Sequence, residues 1–127
     1  MSEITKDNNS SGDPYSILIT GASGGIGKFL VSELSKSGWK VIATDHPNKL
    51  IENDLLNDVY AFIKQDLASL LTDPSQKNNF IEKIKGCCKT FPLKAIINNA
   101  AIQNVKLFED LTDEDWLQSL SVNLLAP

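Results

Sequence analysis

The segment TGASGGIGK, residues 20–28, sets Gly21, Gly25 and Gly27 where an apolar, β-branched run gives way to a helical pattern. Such a turn leaves backbone N–H groups unpaired at a helix start and adds the helix dipole, so it suits a phosphate. Two phosphate-binding arrangements compete for it. A mononucleotide loop ends in glycine, lysine and a hydroxyl residue that ligates magnesium. Here Gly27 and Lys28 are followed by Phe29, and Gly21 stands six positions before Gly27, one too many. The dinucleotide arrangement needs a glycine for the tight turn, one where backbone meets pyrophosphate, and one where helix packs on strand. Gly21, Gly25 and Gly27 supply them. An ordinary glycine turn is the plain alternative, and the loop alone does not decide between them.

Asp45 sits where a second strand should end, the position from which an acid accepts hydrogen bonds from an adenosine ribose. A solvated carboxylate at a strand end is the other reading. All twelve basic residues are lysines, so the bidentate guanidinium fork that suits phosphate is absent. An acid at residue 45 repels a 2′-phosphate, which favours NAD over NADP; Lys28 and Lys49 work against that preference. A net charge of −4 argues against nucleic acid or an anionic membrane as partner. Cys87 and Cys88 are adjacent, which suits neither a loop-closing disulfide nor a spaced metal site, and they read as reduced packing residues. No apolar run is long enough to span a bilayer, and residues 1–15 lack a signal-peptide pattern, so a cytoplasmic location is expected.

With 127 residues, 42% of them apolar, one domain with its own core is expected. Residues 1–14 are polar and read as a disordered tail. Strand patterns follow at YSILIT (15–20), KVIAT (40–44), AFIKQ (61–65) and LKAIIN (93–98). Helical patterns alternate with them: from Gly25 to the stop at Gly38, over 50–58, from the Asp73 cap and Pro74 to Cys88, and from Thr112 through Leu124. Thr112 with Asp115 resembles a capping box. The alternation of four strands with four helices predicts an α/β fold with a parallel sheet and right-handed crossovers.

Taken together, T20-G-A-S-G-G-I-G27, Asp45, Asp66-Leu67, N98-N-A-A101 and Asn123 resemble the short-chain dehydrogenase/reductase family over residues 15–127. The resemblance implies pyrophosphate binding by Gly21, Ser23, Gly25, Ile26 and Gly27, ribose binding by Asp45, and adenine contact by Asp66 and Leu67. It places the turn Asn98, Asn99, Ala100 beside the cofactor, and it implies an incomplete Rossmann-type doubly wound parallel sheet of four strands in the order 3-2-1-4. Ala101 departs from the glycine usual there. Gly24 also fits the spacing of a sugar-nucleotide epimerase branch, and the Asn-Asn-Ala turn favours the dehydrogenase branch. The implied reaction is hydride transfer between nicotinamide and the carbonyl or alcohol carbon of a small-molecule substrate, in a homo-oligomer.

The family uses a helical Tyr-x-x-x-Lys pair as acid-base machinery, and an asparagine that holds a water in the proton relay matches Asn123. At about 100° per residue, Asn123 falls on the side of Trp116, Ser119 and Leu120, which predicts a buried amide. A core asparagine bonded to nearby backbone is the plain alternative. Tyr60 and Lys64 have the family spacing but overlap the predicted third strand. Four strand residues span about 13 Å, against 5–6 Å on a helix, so this pair cannot share a proton. SVNLLAP (121–127) resembles the middle of the asparagine helix. The chain is therefore expected to be a truncated, inactive cofactor-binding half; a non-catalytic dinucleotide-binding module or partner subunit is the alternative.

Overall fold

The computed structural model describes residues 14–103 and 105–127, and the expected tail, residues 1–14, lies outside them except for Pro14. Four strands, β1 (Ser16–Thr20), β2 (Lys40–Asp45), β3 (Ala61–Lys64) and β4 (Leu93–Ile97), pair in parallel. Their order is β3-β2-β1-β4, as the family resemblance implies. All five residues of β1 are buried, as expected for a central strand covered on both faces.

The covering helices are α1 (Gly25–Lys36), α2 (Asn53–Asp58), α3 (Ser69–Thr72), α4 (Pro74–Cys87) and α5 (Asp113–Leu120). Alternate strand residues feed two cores. Ile17, Ile19, Val41 and Ala43 pack with Ala22, with Val31 of α1 and with Leu55 of α2. Leu18, Ile42 and Ile63 pack on the opposite face with Phe80 of α4. Helices thus cover both faces of the sheet, the doubly wound arrangement. Cys87 and Cys88 border the second core as free thiols. Burial, and secondarily the neighbouring Cys88, pushes the Cys87 thiol above its ordinary range.

The cap signals are realised. Asp73 accepts from the backbone N–H groups of Ser75 and Gln76 at 3.0 and 3.2 Å, with Pro74 opening α4. Thr112 and Asp115 form a reciprocal capping box at the start of α5. The single-turn helix α3 and a 3₁₀ turn at Phe108–Asp110 are too short to leave a periodic signal.

The end of the chain departs from the expectation. Helix α5 runs into a π-helical turn, Ser121–Leu125, closed by a 2.8 Å bond from Ala126 N–H to Ser121 C=O. A five-residue hydrogen-bond step breaks the 100° phase, so the face extrapolated from Trp116 no longer predicts residue 123. Val122 is buried instead, while Asn123, Trp116 and Leu120 are exposed. Among the described residues no helix is long and apolar enough to cross a membrane.

Because β1 lies between β2 and β4, the connections leaving it run in opposite directions. A crevice therefore opens at the carboxyl ends of these strands, where doubly wound sheets hold ligands.

Candidate functional site

Backbone conformation at the glycine loop is set by two close approaches. Gly21 adopts φ +65°, and a Cβ there would lie 2.8 Å from the Ala100 Cα and 3.2 Å from Asn99 Nδ2. A Cβ at Gly27 would run into the Gly21 carbonyl and sit 2.8 Å from the Ala22 Cα. One glycine admits the Asn-Asn-Ala turn and the other admits α1 against the loop. Gly25 differs: a Cβ there would meet nothing within 4 Å, so its surface faces open space. Ile26 beside it is exposed as well.

The start of α1 is electrostatically bare. Its N-cap, Gly24, makes no side-chain hydrogen bond, and its first turn carries no acid. Helices α4 and α5, by contrast, have side-chain caps, and three acids occupy the first turn of α5. The positive end of the α1 dipole and its unpaired N–H groups are thus left for an external anion. Lys28, in the same turn, is drawn aside to Glu52 at 2.5 Å.

Asp45 closes the loop. Its Oδ2 accepts from the Ser23 backbone N–H at 2.9 Å and from the Ser23 hydroxyl at 2.5 Å. Its Oδ1 accepts from the His46 N–H at 2.8 Å. A carboxylate offers about four acceptor positions, so one remains for a ligand hydroxyl.

Thr20, which spacing alone did not single out, ties the other wall. Its Oγ1 accepts from the N–H groups of both Asn99 and Ala100 at 3.0 Å, and Asn99 Nδ2 donates to the Gly21 carbonyl at 3.1 Å. Asn98 is exposed. Ala101 needs no left-handed backbone, since no non-glycine among the described residues has positive φ.

A cleft of about 200 Å³ lies over these walls. It gathers Gly21, Asp45, Asp66, Leu67 and Ala100 from the expected site, along with His46 and Gln65, which sequence reasoning missed. Both missed residues directly adjoin an expected acid, the one signal that could have found them. Asp66 Oδ1 accepts from Ala68 N–H at 3.1 Å, and the Ser69 hydroxyl donates to the Asp66 carbonyl at 2.6 Å. These bonds hold the residue 66–69 turn in shape. Ser23, Gly25, Ile26 and Gly27 form the adjoining loop, outside the cleft wall.

Asn123 reaches this wall through its amide. Its Oδ1 accepts from Ile102 N–H at 2.7 Å, and its Nδ2 donates to Ile102 C=O at 2.9 Å and to Ser119 Oγ at 3.3 Å. The side chain therefore braces a residue of the cleft although it is itself exposed. Tyr60 and Lys64 bracket β3, and the Tyr60 ring stands edge-on to Phe91 with centroids 5.3 Å apart. They form no helical pair.

The family model for short chain dehydrogenase matches residues 15–127. The 3-oxoacyl-(acyl-carrier-protein) reductase FabG of Buchnera aphidicola is 28% identical over 86% of this chain and 43% of its own length. An oxidoreductase of the short chain dehydrogenase/reductase family from Brucella ovis, solved with a partially ordered NAD, superposes with TM-score 0.71 at 28% identity, over 91% of this chain and 53% of that one. A short chain dehydrogenase from Leptospira borgpetersenii, solved with bound NAD+, gives TM-score 0.70 and 26% identity over 90% and 42%. The chain thus spans about half, or less, of the length of these proteins. Loop, acid, Asn-Asn-Ala turn and strand order agree with a match over nearly the whole chain: it belongs to the short chain dehydrogenase family.

Proposed function

We propose that the chain binds NAD and is the cofactor-binding part of an oxidoreductase that moves hydride between nicotinamide and the carbonyl or alcohol carbon of a small molecule. The observation that carries this reading is the bare start of α1: an uncapped glycine N-terminus, free of acids, beside a cleft with Asp45 in its wall. A pyrophosphate fits the first and a ribose hydroxyl the second. When bound, NAD supplies the hydride acceptor; the chain's own residues position it.

Asp45 and Asp66 both line the cleft, and a second phosphate on the ribose would meet their charge without an arginine to offset it. That favours NAD over NADP, and the NAD named for the Leptospira and Brucella proteins supports it. Asn123 belongs to the proton relay in this reading, with its amide fixed on Ile102. Tyr60 stands just before β3 and Lys64 ends it, so the two form no helical acid–base pair, and in this reading residues 1–127 alone bind cofactor without turnover. Hydride transfer, substrate choice and homo-oligomer formation are proposals for an enzyme that also carries the family's catalytic pair.

Calorimetric titration of the chain with NAD and NADP tests the proposal. NAD is expected to bind with a dissociation constant on the order of micromolar, more tightly than NADP. Asp45→Ala should narrow the difference about tenfold, the scale of one hydrogen-bonded charge. No binding of either dinucleotide would sink the reading, and an unchanged ratio in the variant would remove the role given to Asp45.

A further inference from the structure

We propose that the amino-terminal edge of the sheet, at the end opposite the cleft, is a docking surface for an acidic peptide segment of a partner protein. Lys40 and Lys94 meet its carboxylates, and Tyr15 and Tyr60 meet its apolar side chains. The proposal stands apart from the cofactor reading and uses none of its residues.

Every strand brings a part of this surface. Tyr15 directly precedes β1, Lys40 opens β2, Tyr60 directly precedes β3, and Phe91 and Lys94 flank the start of β4. Bonds between the strand ends fix their places. The Lys40 N–H donates to the Tyr15 carbonyl at 3.0 Å, the Tyr60 N–H to the Val41 carbonyl at 2.8 Å, and the Ser16 hydroxyl to the Phe91 carbonyl at 2.8 Å. The Lys40 ammonium stands 5.1 Å from the centre of the Phe91 ring, and the Lys94 ammonium 5.0 Å from that of Tyr15. Phe91 in turn receives Tyr60 edge-on.

Lys28, Lys36, Lys85 and Lys106 each pair with a carboxylate, whereas Lys40 and Lys94 have no carboxylate partner among the described residues. Asp58, which precedes Tyr60 in the chain, pairs with neither. An aromatic face steadies an ammonium without cancelling its charge, so each lysine loses less freedom on meeting an anion than a loose one would. Tyr15 and Tyr60 are 49% and 46% exposed, and tyrosine rings are enriched where proteins meet. Lys40 and Lys94 stand on the strands either side of β1, about 10 Å apart at ordinary strand spacing, which is about three residues of extended chain. Single carboxylates suit these point charges better than phosphates, which favour the bidentate fork that the chain lacks. The net charge of −4 repels a long polyanion or an anionic bilayer more than a short acidic segment.

The test titrates the full chain into a fluorescent peptide that carries glutamates at this spacing with phenylalanine between them, and into its glutamine counterpart, and reads anisotropy. The glutamate peptide is expected to bind at least about tenfold more tightly, with the gap closing as salt rises. Lys40→Gln combined with Lys94→Gln should erase that gap. Lys40→Glu combined with Lys94→Glu should reject the glutamate peptide and accept one with lysines in place of the glutamates, an exchange that lost folding could not produce. No binding of the glutamate peptide, equal binding of its glutamine counterpart, or charge-reversed chain that keeps the original preference would overturn the proposal. Tighter binding to a short DNA duplex or to phosphatidylserine vesicles than to the peptide would also overturn it and assign the surface to phosphate groups.

Discussion

Single residues in the glycine loop divide into those the fold needs and those for which only the proposed cofactor makes a demand. Gly27 has the loop carbonyl and Ala22 against it, so Gly27→Ala should cost about 1–3 kcal/mol through overpacking. Gly25 faces open space at the first position of α1, and Gly25→Ala should leave stability unchanged or slightly raised, because alanine favours a helix. The same methyl would fill the room a pyrophosphate requires, and NAD affinity should drop at least about tenfold by steric exclusion. Denaturant midpoints and NAD titrations on both variants separate the two demands. Full NAD affinity in Gly25→Ala would place the pyrophosphate elsewhere. The spacing made the tight turn at Gly21 and the close helix contact at Gly27 legible in the sequence. It could not show that Ser23 donates twice to Asp45, or that Thr20 holds the Asn99 and Ala100 amides, because those bonds join residues 22 to 80 positions apart.

Elements were legible where a local rule defines them. Asp73 before Pro74 and the Thr112–Asp115 box marked two helix starts because caps act within one turn. The π turn at Ser121–Leu125 was not legible, since no residue type forces it, and the burial expected for Asn123 failed with it. What Asn123 does instead is brace one element against another. Asn123→Ala would leave Ile102 N–H and C=O without their amide partners, for an expected loss of about 1–2 kcal/mol and faster hydrogen exchange at Ile102. Unchanged exchange there would mean that the brace is dispensable. Lys28 and Glu52 connect α1 to the start of α2 in a similar way. The hydrogen bond from Lys28, then its charge, holds the Glu52 carboxyl below its ordinary value. A depressed carboxylate contributes stability at neutral pH and loses it as pH falls through the lowered value. The stability difference between wild type and Glu52→Gln should therefore be small and salt-sensitive at pH 7, and vanish towards acid. A difference that persists or grows in acid would assign the effect to something other than this pair.

For the whole molecule, alternation made the parallel sheet legible, while the order of its strands needed the family resemblance, because doubly wound sheets occur in more than one order. The same topology leaves β4 paired only to β1 among the described residues. Its outer backbone groups are thus open to another chain, and Ile96 beside them is 54% exposed. Short strands and charges ordinarily protect an edge. β3, at the other side, has four residues and ends in Lys64, whereas β4 has five with Lys94 as its one charge. Exposed Trp116, Leu117, Leu120 and Leu124 add apolar surface on α5 and the turn after it. The 127-residue chain on its own is therefore expected to self-associate as its concentration rises. Sedimentation velocity over a concentration series measures this, with Ile96→Lys as the comparison. A lysine on the strand costs little packing at an exposed position and repels a second copy laid edge to edge, so it should restore a monomer. Association unaffected by Ile96→Lys would move the cause from β4 to the exposed face of α5, and a wild-type monomer at every concentration would show that the open edge is already protected.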